Sequence, residues 1–147
     1  MTDATTSIAA SWGKPVPEVT PLTRPFWEAA AHRELRLQQC STCGHIRFPI
    51  GPVCTQCLHD GFDWVRLSGK GRVLSHLVFH RAYSPAWRDE VPYSVIMLQL
   101  EEGPRMFSDV VDPERRFIDV DLVGRTVEAT FDVIAPGIGV PRFAIVE

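Results

Sequence analysis

Four cysteines arranged in two pairs constrain this chain more than any other feature. Two residues separate Cys40 from Cys43 and Cys54 from Cys57, and ten residues separate the pairs. A Cys-x2-Cys turn places two thiolates on one side of a tight turn, so two facing turns supply a tetrahedral set of four sulfurs. The spacing therefore predicts one structural zinc ion bound by Cys40, Cys43, Cys54 and Cys57. Such a site is closed and has a role in folding rather than in catalysis.

Other uses of these cysteines remain open from the spacing alone. Iron in a rubredoxin-like electron-transfer site uses the same two turns, although rubredoxins usually place them further apart. Redox-active pairs or disulfides are less favoured, because no thioredoxin-like βαβ pattern surrounds them. His45 and His59 lie near the pairs, and we favour exposed histidines beside a complete set of four sulfurs. His76 and His80 share a face of a predicted strand but lack a convincing third metal ligand.

Composition restricts the class of protein further. The chain has 147 residues, of which 45% are hydrophobic, which suits one ordinary domain or a compact domain with a small appendage. Its formal charge is −3, from 15 basic and 18 acidic residues, so it lacks the basic excess typical of general nucleic-acid binders. We see neither a signal-peptide pattern nor the roughly 18 consecutive apolar residues of a membrane span, and we expect a cytoplasmic protein.

The sequence divides into three unequal parts. Residues 1–22 are rich in Thr, Ser, Ala and Pro and predict a flexible N-terminal arm. Residues 23–61 contain a helix and the four-cysteine zinc ribbon, and residues 62–147 form the predicted OB-fold domain. The helix is expected to begin near Thr23 as its N-cap, with a proline in its first turn, and the alternating segment 34–39 predicts a short strand leading into the first cysteine.

The C-terminal part alternates like an all-β domain. A first strand interrupted by a glycine-rich bend, four further strands, and a longer connection between the third and fourth fit a five-stranded OB-type barrel. An SH3-like barrel would produce much the same pattern. We therefore expect a mainly β fold with an N-terminal helix, a zinc ribbon and this barrel. The predicted strands cover 64–67 with 72–80, 93–100, 105–111, 123–135 and 140–146.

Sequence motifs for catalysis are missing. The chain has no G-x-S-x-G elbow, no phosphate-binding glycine loop and no H-E-x-x-H. If all four cysteines bind zinc, no thiol is left as a nucleophile. The loop at 80–93 mixes aromatic residues, prolines and arginines beside the face on which OB barrels bind ligands. That composition suits a protein interface or a nucleotide-like ligand.

Several motifs, taken in order, resemble one protein family. They are Phe26-Trp27-Glu28, Leu35-Arg36-Leu37-Gln38, Cys40-x2-Cys43-Gly44, Arg47-Phe48-Pro49, Pro52-Val53-Cys54-x2-Cys57, Trp64, Leu67-Ser68-Gly69-x-Gly71, His80-Arg81, Val91-Pro92-Tyr93 and Leu100-x-Glu102-Gly103-Pro104-Arg105. Over about residues 23–146 this order resembles the zinc-ribbon/OB-fold acyl-CoA-associated proteins known as domain of unknown function thirty-five. Departures at Ile50-Gly51, and at Leu58 in place of a common glycine, remove no metal ligand.

The resemblance implies a rubredoxin-like zinc ribbon, an OB barrel and a role as a non-catalytic partner of thiolase-superfamily or lipid-transfer-protein-like enzymes. Such complexes act on acyl-CoA thioesters by acyl transfer, condensation or, in sterol side-chain degradation, retro-aldol cleavage. The chain would then shape the interface and line the CoA channel. The residues expected to contact the partner or CoA are Arg81, Tyr83, Trp87, Arg88, Tyr93 and Arg105.

Two other functions compete with this interpretation. A zinc ribbon with an OB barrel also occurs in single-stranded nucleic-acid binders, but residues 62–147 hold 10 basic against 13 acidic residues, which opposes binding dominated by phosphate contacts. An electron carrier with iron in the cysteine site would be coloured and redox-active, whereas a zinc protein would be colourless.

Overall fold

A computed structural model describes residues 12–147, so the first eleven residues of the predicted arm lie outside the described part. The described residues form a mainly β structure preceded by a short helix, and none of their helices is long and apolar enough to cross a membrane. The elements are α1 (Arg24–Ala31), β1 (Leu35–Cys40), β2 (Ile46–Arg47), β3 (Phe62–Leu67), β4 (Lys70–Phe79), a 3-10 turn (Pro85–Trp87), β5 (Tyr93–Leu100), β6 (Arg105–Asp109), β7 (Thr126–Ala135) and β8 (Ile138–Ile145).

The first sheet is three-stranded and antiparallel, in the order β2-β1-β3. Strand β3 pairs with β1 along its whole length, from Leu35 opposite Leu67 to Cys40 opposite Phe62. The prediction that 64–67 belongs to the first barrel strand is therefore wrong. Gly69, at φ 76°, turns the chain out of this sheet, because this left-handed conformation suits glycine.

The second sheet has five antiparallel strands in the order β6-β5-β4-β7-β8. A parallel bridge between Val110 and Phe143 brings the chain after β6 next to β8 and joins the two ends of the sheet. The Val111 backbone N–H donates to the Phe143 carbonyl at 2.9 Å. Each of the five predicted barrel strands has a counterpart in this sheet; the first lacks its 64–67 part, and the other bounds differ from the predicted ones by a few residues.

A bulge between Val73 and Ser75 changes which side chains of β4 point inward. Uninterrupted alternation from the buried Val73 would bury Leu77, but the bulge exposes 62% of this side chain and turns His76 toward the interior. His76 lies with its Nε2 atom 2.9 Å from the Ser94 hydroxyl, and its burial lowers the pKa of the imidazole below its ordinary value.

One hydrophobic core joins the two sheets. Alternate positions of β5 are buried, as expected for a strand with one face covered, whereas β1 buries Gln38 as well as Leu35, Leu37 and Cys40. The core cluster contains Phe26 from α1 and residues of both sheets, so the ribbon and the barrel pack together. Its members are Phe26, Leu35, Leu37, Leu67, Val73, Ile96, Leu98, Leu100, Met106, Val110, Leu122, Val127 and Phe143.

Helix α1 begins where the sequence predicted, but without the predicted side-chain cap. Thr23 occupies the N-cap position in a helical conformation and makes no capping hydrogen bond. Its hydroxyl instead accepts from the Thr20 backbone N–H at 3.0 Å. The helix buries Ala29 and Ala30, and its backbone at Ala30 comes so close to Gly139 of β8 that no side chain fits between them.

Candidate metal centre

The four cysteine sulfurs meet at one point between the two turns, as the spacing predicted. All four Sγ atoms lie within 4.8 Å of one another. Cys40 and Cys57 bring their Sγ atoms to 3.5 Å, and Cys43 and Cys54 bring theirs to 3.6 Å. Zinc–sulfur bonds of about 2.3 Å in a tetrahedron require sulfur–sulfur separations of roughly 3.8 Å. The side chains are therefore positioned to bind one metal ion.

The first turn aims backbone N–H groups at its sulfur. The Thr42 N–H donates to Cys40 Sγ at 3.4 Å, and the Gly44 N–H donates to the Cys40 carbonyl at 3.0 Å. The Cys40 N–H donates to the His45 carbonyl at 2.8 Å, which closes the turn. Gly44 has φ 78°, the left-handed conformation that such a turn requires.

The second turn repeats this pattern closely. The Gln56 N–H donates to Cys54 Sγ at 3.4 Å, and the Leu58 N–H donates to the Cys54 carbonyl at 2.9 Å. The Cys54 N–H donates to the His59 carbonyl at 2.8 Å. Leu58 occupies the position of Gly44 and adopts the same left-handed conformation, with φ 66°. The two turns thus present matched pairs of sulfurs from opposite sides.

Electrostatics at the centre favour a bound cation. Backbone N–H groups of Cys43 and Thr42 lower the pKa of Cys40 to about 6. Although the backbone N–H of His59 lowers the pKa of Cys57, burial and the three neighbouring sulfurs raise it to about 12. Four adjacent thiolates repel one another unless a positive ion neutralises them. A zinc ion held by the four cysteines would supply that charge and cross-link the two turns.

Neither neighbouring histidine joins this group. In residues 12–147, the cluster of side chains suited to hold a metal consists of the four cysteines alone. His59 instead lies with its Nδ1 atom 3.4 Å from the Thr42 hydroxyl. His76 is held by Ser94, and no third ligand joins it and His80 within the same part of the chain.

Several of the residues expected to contact a partner or CoA lie together on the barrel. Tyr93, at the start of β5, stacks on Phe79 with ring centroids 5.3 Å apart. Tyr83 contacts Phe79 edge-on at 6.1 Å, and the Arg81 guanidinium lies 5.3 Å from the Tyr83 ring centre. Arg105 is exposed at the start of β6 but lies opposite Gln99, toward the end of β5 that is far from Tyr93.

Trp87 and Arg88 come from the loop before β5, and Trp87 lines a cavity together with Tyr93. Trp87 ends the 3-10 turn, and its ring centre is 5.7 Å from Lys14 Nζ, which also pairs with Glu90 at 2.6 Å. Arg88 follows the turn and is exposed. Their part in partner or CoA binding stays a prediction.

Comparisons with known proteins match both halves of the chain. A family model described as the ChsH2 rubredoxin-like zinc ribbon domain covers residues 27–63, and one described as the ChsH2 C-terminal OB-fold domain covers residues 64–132. A DUF35 domain-containing scaffold protein from Methanothermobacter thermautotrophicus is 34% identical over 94 residues, which are 63% of this chain and 68% of that protein. The chain belongs to the DUF35 family. The family assignment confirms the resemblance, the zinc ribbon and the OB fold.

A solved structure matches most of this chain and nearly all of the DUF35 chain that it contains. A structure described as the Ltp2-ChsH2(DUF35) aldolase aligns with a TM-score of 0.72 and 30% identity, and the alignment covers 88% of this chain and 98% of that one. That structure is described as an aldolase, and the aligned chain in it is a DUF35 chain.

Longer relatives contain this unit as one part. A 3-oxo-4,17-pregnadiene-20-carboxyl-CoA hydratase alpha subunit from Mycobacterium tuberculosis is 33% identical over 72% of this chain. A probable enoyl-CoA hydratase alpha subunit from Thermomonospora curvata is 37% identical over 76% of it. The chain spans about a third of the length of these two relatives, 32% and 35% respectively.

Replacing Leu58 by glycine is expected to stabilise the ribbon of this DUF35 protein. Leu58 is held at φ 66° with 75% of its side chain exposed. A left-handed conformation costs an ordinary residue about 1–2 kcal/mol, whereas glycine adopts it freely but loses more entropy on folding. Leu58→Gly should therefore raise the unfolding free energy of the zinc-loaded protein by about 0.5–1 kcal/mol, measured by urea denaturation.

The matched control is Leu58→Ala, which removes the exposed side chain but keeps the Cβ atom and its steric strain. It should leave the unfolding free energy near the wild-type value. Equal stability of the two variants would show that the left-handed conformation at this turn is not strained.

The sequence did not identify two exposed apolar residues on the barrel. Leu77 and Phe107 are 62% and 72% exposed on β4 and β6. Phe107 sits between the buried Met106 and the partly buried Ser108, so its place in an alternating strand signals exposure. Leu77 gave no such signal, because its orientation depends on the bulge between Val73 and Ser75.

Proposed function

We propose that this DUF35 protein is the non-catalytic subunit of an acyl-CoA-processing complex whose catalytic subunit is a thiolase-superfamily enzyme. The alignment over 98% of a chain in the Ltp2-ChsH2(DUF35) aldolase is the observation that carries this proposal. The alignment therefore covers both the zinc ribbon and the OB barrel of a DUF35 chain that is part of a structure described as an aldolase.

The chemistry of the chain supports a division of labour. The metal centre places all four cysteines around one point, so a bound zinc ion leaves no coordination position for a substrate. The partner would then supply the nucleophile and the acid–base groups. This chain would shape the interface and line the CoA channel.

We assign the complex to a steroid or similar bulky acyl-CoA substrate, with retro-aldol cleavage as the preferred reaction over acyl transfer and thiolysis. The name of the Mycobacterium tuberculosis relative, a pregnadiene carboxyl-CoA hydratase subunit, supports the substrate class. The description of the aligned structure as an aldolase supports the reaction. Four unpaired cysteine thiols that are placed to bind one metal ion are typical of a reducing compartment. We therefore propose that the protein is located in the cytoplasm.

Affinity purification from the native source, followed by mass spectrometry, tests this proposal. A thiolase-superfamily subunit should co-purify with the tagged chain and be absent from a tag-only control. The recovered complex should cleave steroid acyl-CoA aldol substrates, whereas the purified chain alone should not. Turnover by the chain alone at the rate of the complex, or the absence of a thiolase-superfamily partner, would contradict the proposal.

A further inference from the structure

One side of the barrel has apolar residues where strands facing water usually have polar ones. We infer that this side, here called the outer face, docks on an apolar surface with an acidic rim on the catalytic partner; the inference rests on the proposed function above. The outer face lies on β4, β5 and β6 and consists of Leu77, Phe79, Tyr93, Val95, Met97 and Phe107.

Strand register places these side chains side by side. Leu77 is opposite Val95, and Phe79 is opposite Tyr93. On the next pair of strands, Met97 is opposite Phe107. Directly opposed residues of antiparallel strands point to the same side of the sheet and contact each other. The six side chains therefore form a continuous surface across three strands.

The surface is large for a protein of this size. Phe107 and Leu77 are 72% and 62% exposed, and Tyr83, which packs on Phe79, is 76% exposed. These three alone present on the order of 400 Å² of side chain to solvent, since a single aromatic side chain can bury about 150–250 Å². Contiguous apolar patches above a few hundred Å² are typical of interaction sites.

The apolar character is specific to this side of the barrel. In the first half of β7 of the same sheet the exposed positions are Thr126, Glu128 and Thr130, which is the polar pattern expected of a strand face in water, and Val133 is a single exposed apolar residue further along the strand. The residues of the outer face therefore do not reflect a general composition of the barrel surface.

Charges around the outer face determine what it can bind. Arg72 and Arg105 are exposed at one end, where both flank Gln99, and Arg81 is exposed at the other end beside Tyr83. The carboxylate between them, Asp109 opposite Val95, is bound by Arg142 at 2.7 Å. The strand residues of the rim are therefore basic, whereas Glu101 and Glu102 are exposed in the turn between β5 and β6, where the Ser68 N–H donates to Glu102. A complementary partner places acidic residues opposite the three arginines.

The same charges argue against a second copy of this chain as the occupant. In a symmetric dimer built on the outer face, each arginine end would meet another arginine end, and the intervening Asp109 is already paired with Arg142. Like charges across an interface are unfavourable. An acidic-rimmed thiolase-superfamily subunit fits better.

Binding measurements on the full chain test the inference. The thiolase-superfamily subunit recovered in the pull-down is titrated with wild-type protein and with Phe107→Ser, Leu77→Ser and the control Val133→Ser. Val133 is 47% exposed on β7, outside the outer face. Phe107→Ser should weaken Kd about tenfold or more, as expected for an aromatic residue at the centre of an interface. Val133→Ser should change Kd less than about twofold, a surface effect. Arg105→Glu should slow association and reduce its salt dependence.

Each other outcome overturns the inference in a distinct way. If the wild-type chain binds but both outer-face variants bind equally well, with zinc content and thermal melting unchanged, the outer face is not the docking surface and the proposed function stands. If the wild-type chain binds no thiolase-superfamily subunit, the proposed function itself fails. If the chain alone is a dimer that Phe107→Ser dissociates, a second copy occupies the outer face.

Discussion

Cys40→Ser should release the metal ion and unfold the three-stranded sheet. Cys40 is the last residue of β1 and one of four sulfurs within 4.8 Å of one another, so its loss leaves three thiols and an incomplete tetrahedron. Structural zinc contributes about 10–16 kcal/mol of binding free energy in small zinc-finger peptides. Loss of even a third of this free energy would lower the Tm of a chain of this size by roughly 10–15 °C. Zinc content by mass spectrometry and melting by circular dichroism measure the two effects together.

The control for this experiment is His59→Ala, which alters a side chain beside the first turn without removing a sulfur. It should retain one zinc ion per chain and a Tm close to the wild-type value. A Cys40→Ser protein with one tightly bound zinc ion and unchanged Tm would refute the four-cysteine site. A colourless wild-type protein containing zinc would also remove the iron alternative.

Gly139→Ala should separate helix α1 from the barrel. A Cβ atom at this position would overlap the backbone of Ala30 and Ala31 and lie 2.5 Å from the Ala30 carbonyl oxygen. Backbone atoms of a helix cannot move aside as a flexible side chain can, so the helix must shift away from β8. Overpacking of this kind costs about 1–3 kcal/mol and sometimes more, and we expect a loss of about 3 kcal/mol in the free energy of unfolding. Urea denaturation followed by tryptophan fluorescence reports it, because Trp27 lies on α1.

Gly51→Ala provides the matched comparison. A Cβ atom at Gly51 would meet no heavy atom within 4 Å, and its backbone does not have a positive φ. This variant should change the unfolding free energy by less than about 0.5 kcal/mol, as expected for a surface substitution. Equal stability of the two glycine variants would show that the close contact between α1 and β8 contributes nothing.

Local patterns were enough to predict the metal centre and most of the strands. The positions of Cys40, Cys43, Cys54 and Cys57 follow from two short turns, whose geometry depends on a few neighbouring residues. Alternation of apolar residues likewise identified β5, because each second side chain from Ser94 onward is buried. These features are properties of short segments, which is why the sequence alone predicts them.

Features that depend on distant contacts were not predictable in the same way. Alternation marks residues 62–67 as a strand but does not say that its partner is β1 rather than a barrel strand. The direction of Leu77 depends on the bulge after Val73. Thr23 has a typical N-cap residue type, yet its hydroxyl is engaged by Thr20. In each case a tertiary or neighbouring contact overrides a correct local tendency.

The pairing of β3 with β1 limits how this protein can be divided or recombined. A fragment that ends at residue 61 would leave β1 with only the two-residue strand β2 as a partner. A fragment that begins at residue 62 would begin with an unpaired apolar strand, which is prone to aggregation. Ribbon and barrel therefore cannot be exchanged as separate modules at that boundary. A recombinant protein that keeps both sheets intact must therefore contain the continuous segment from α1 through β8.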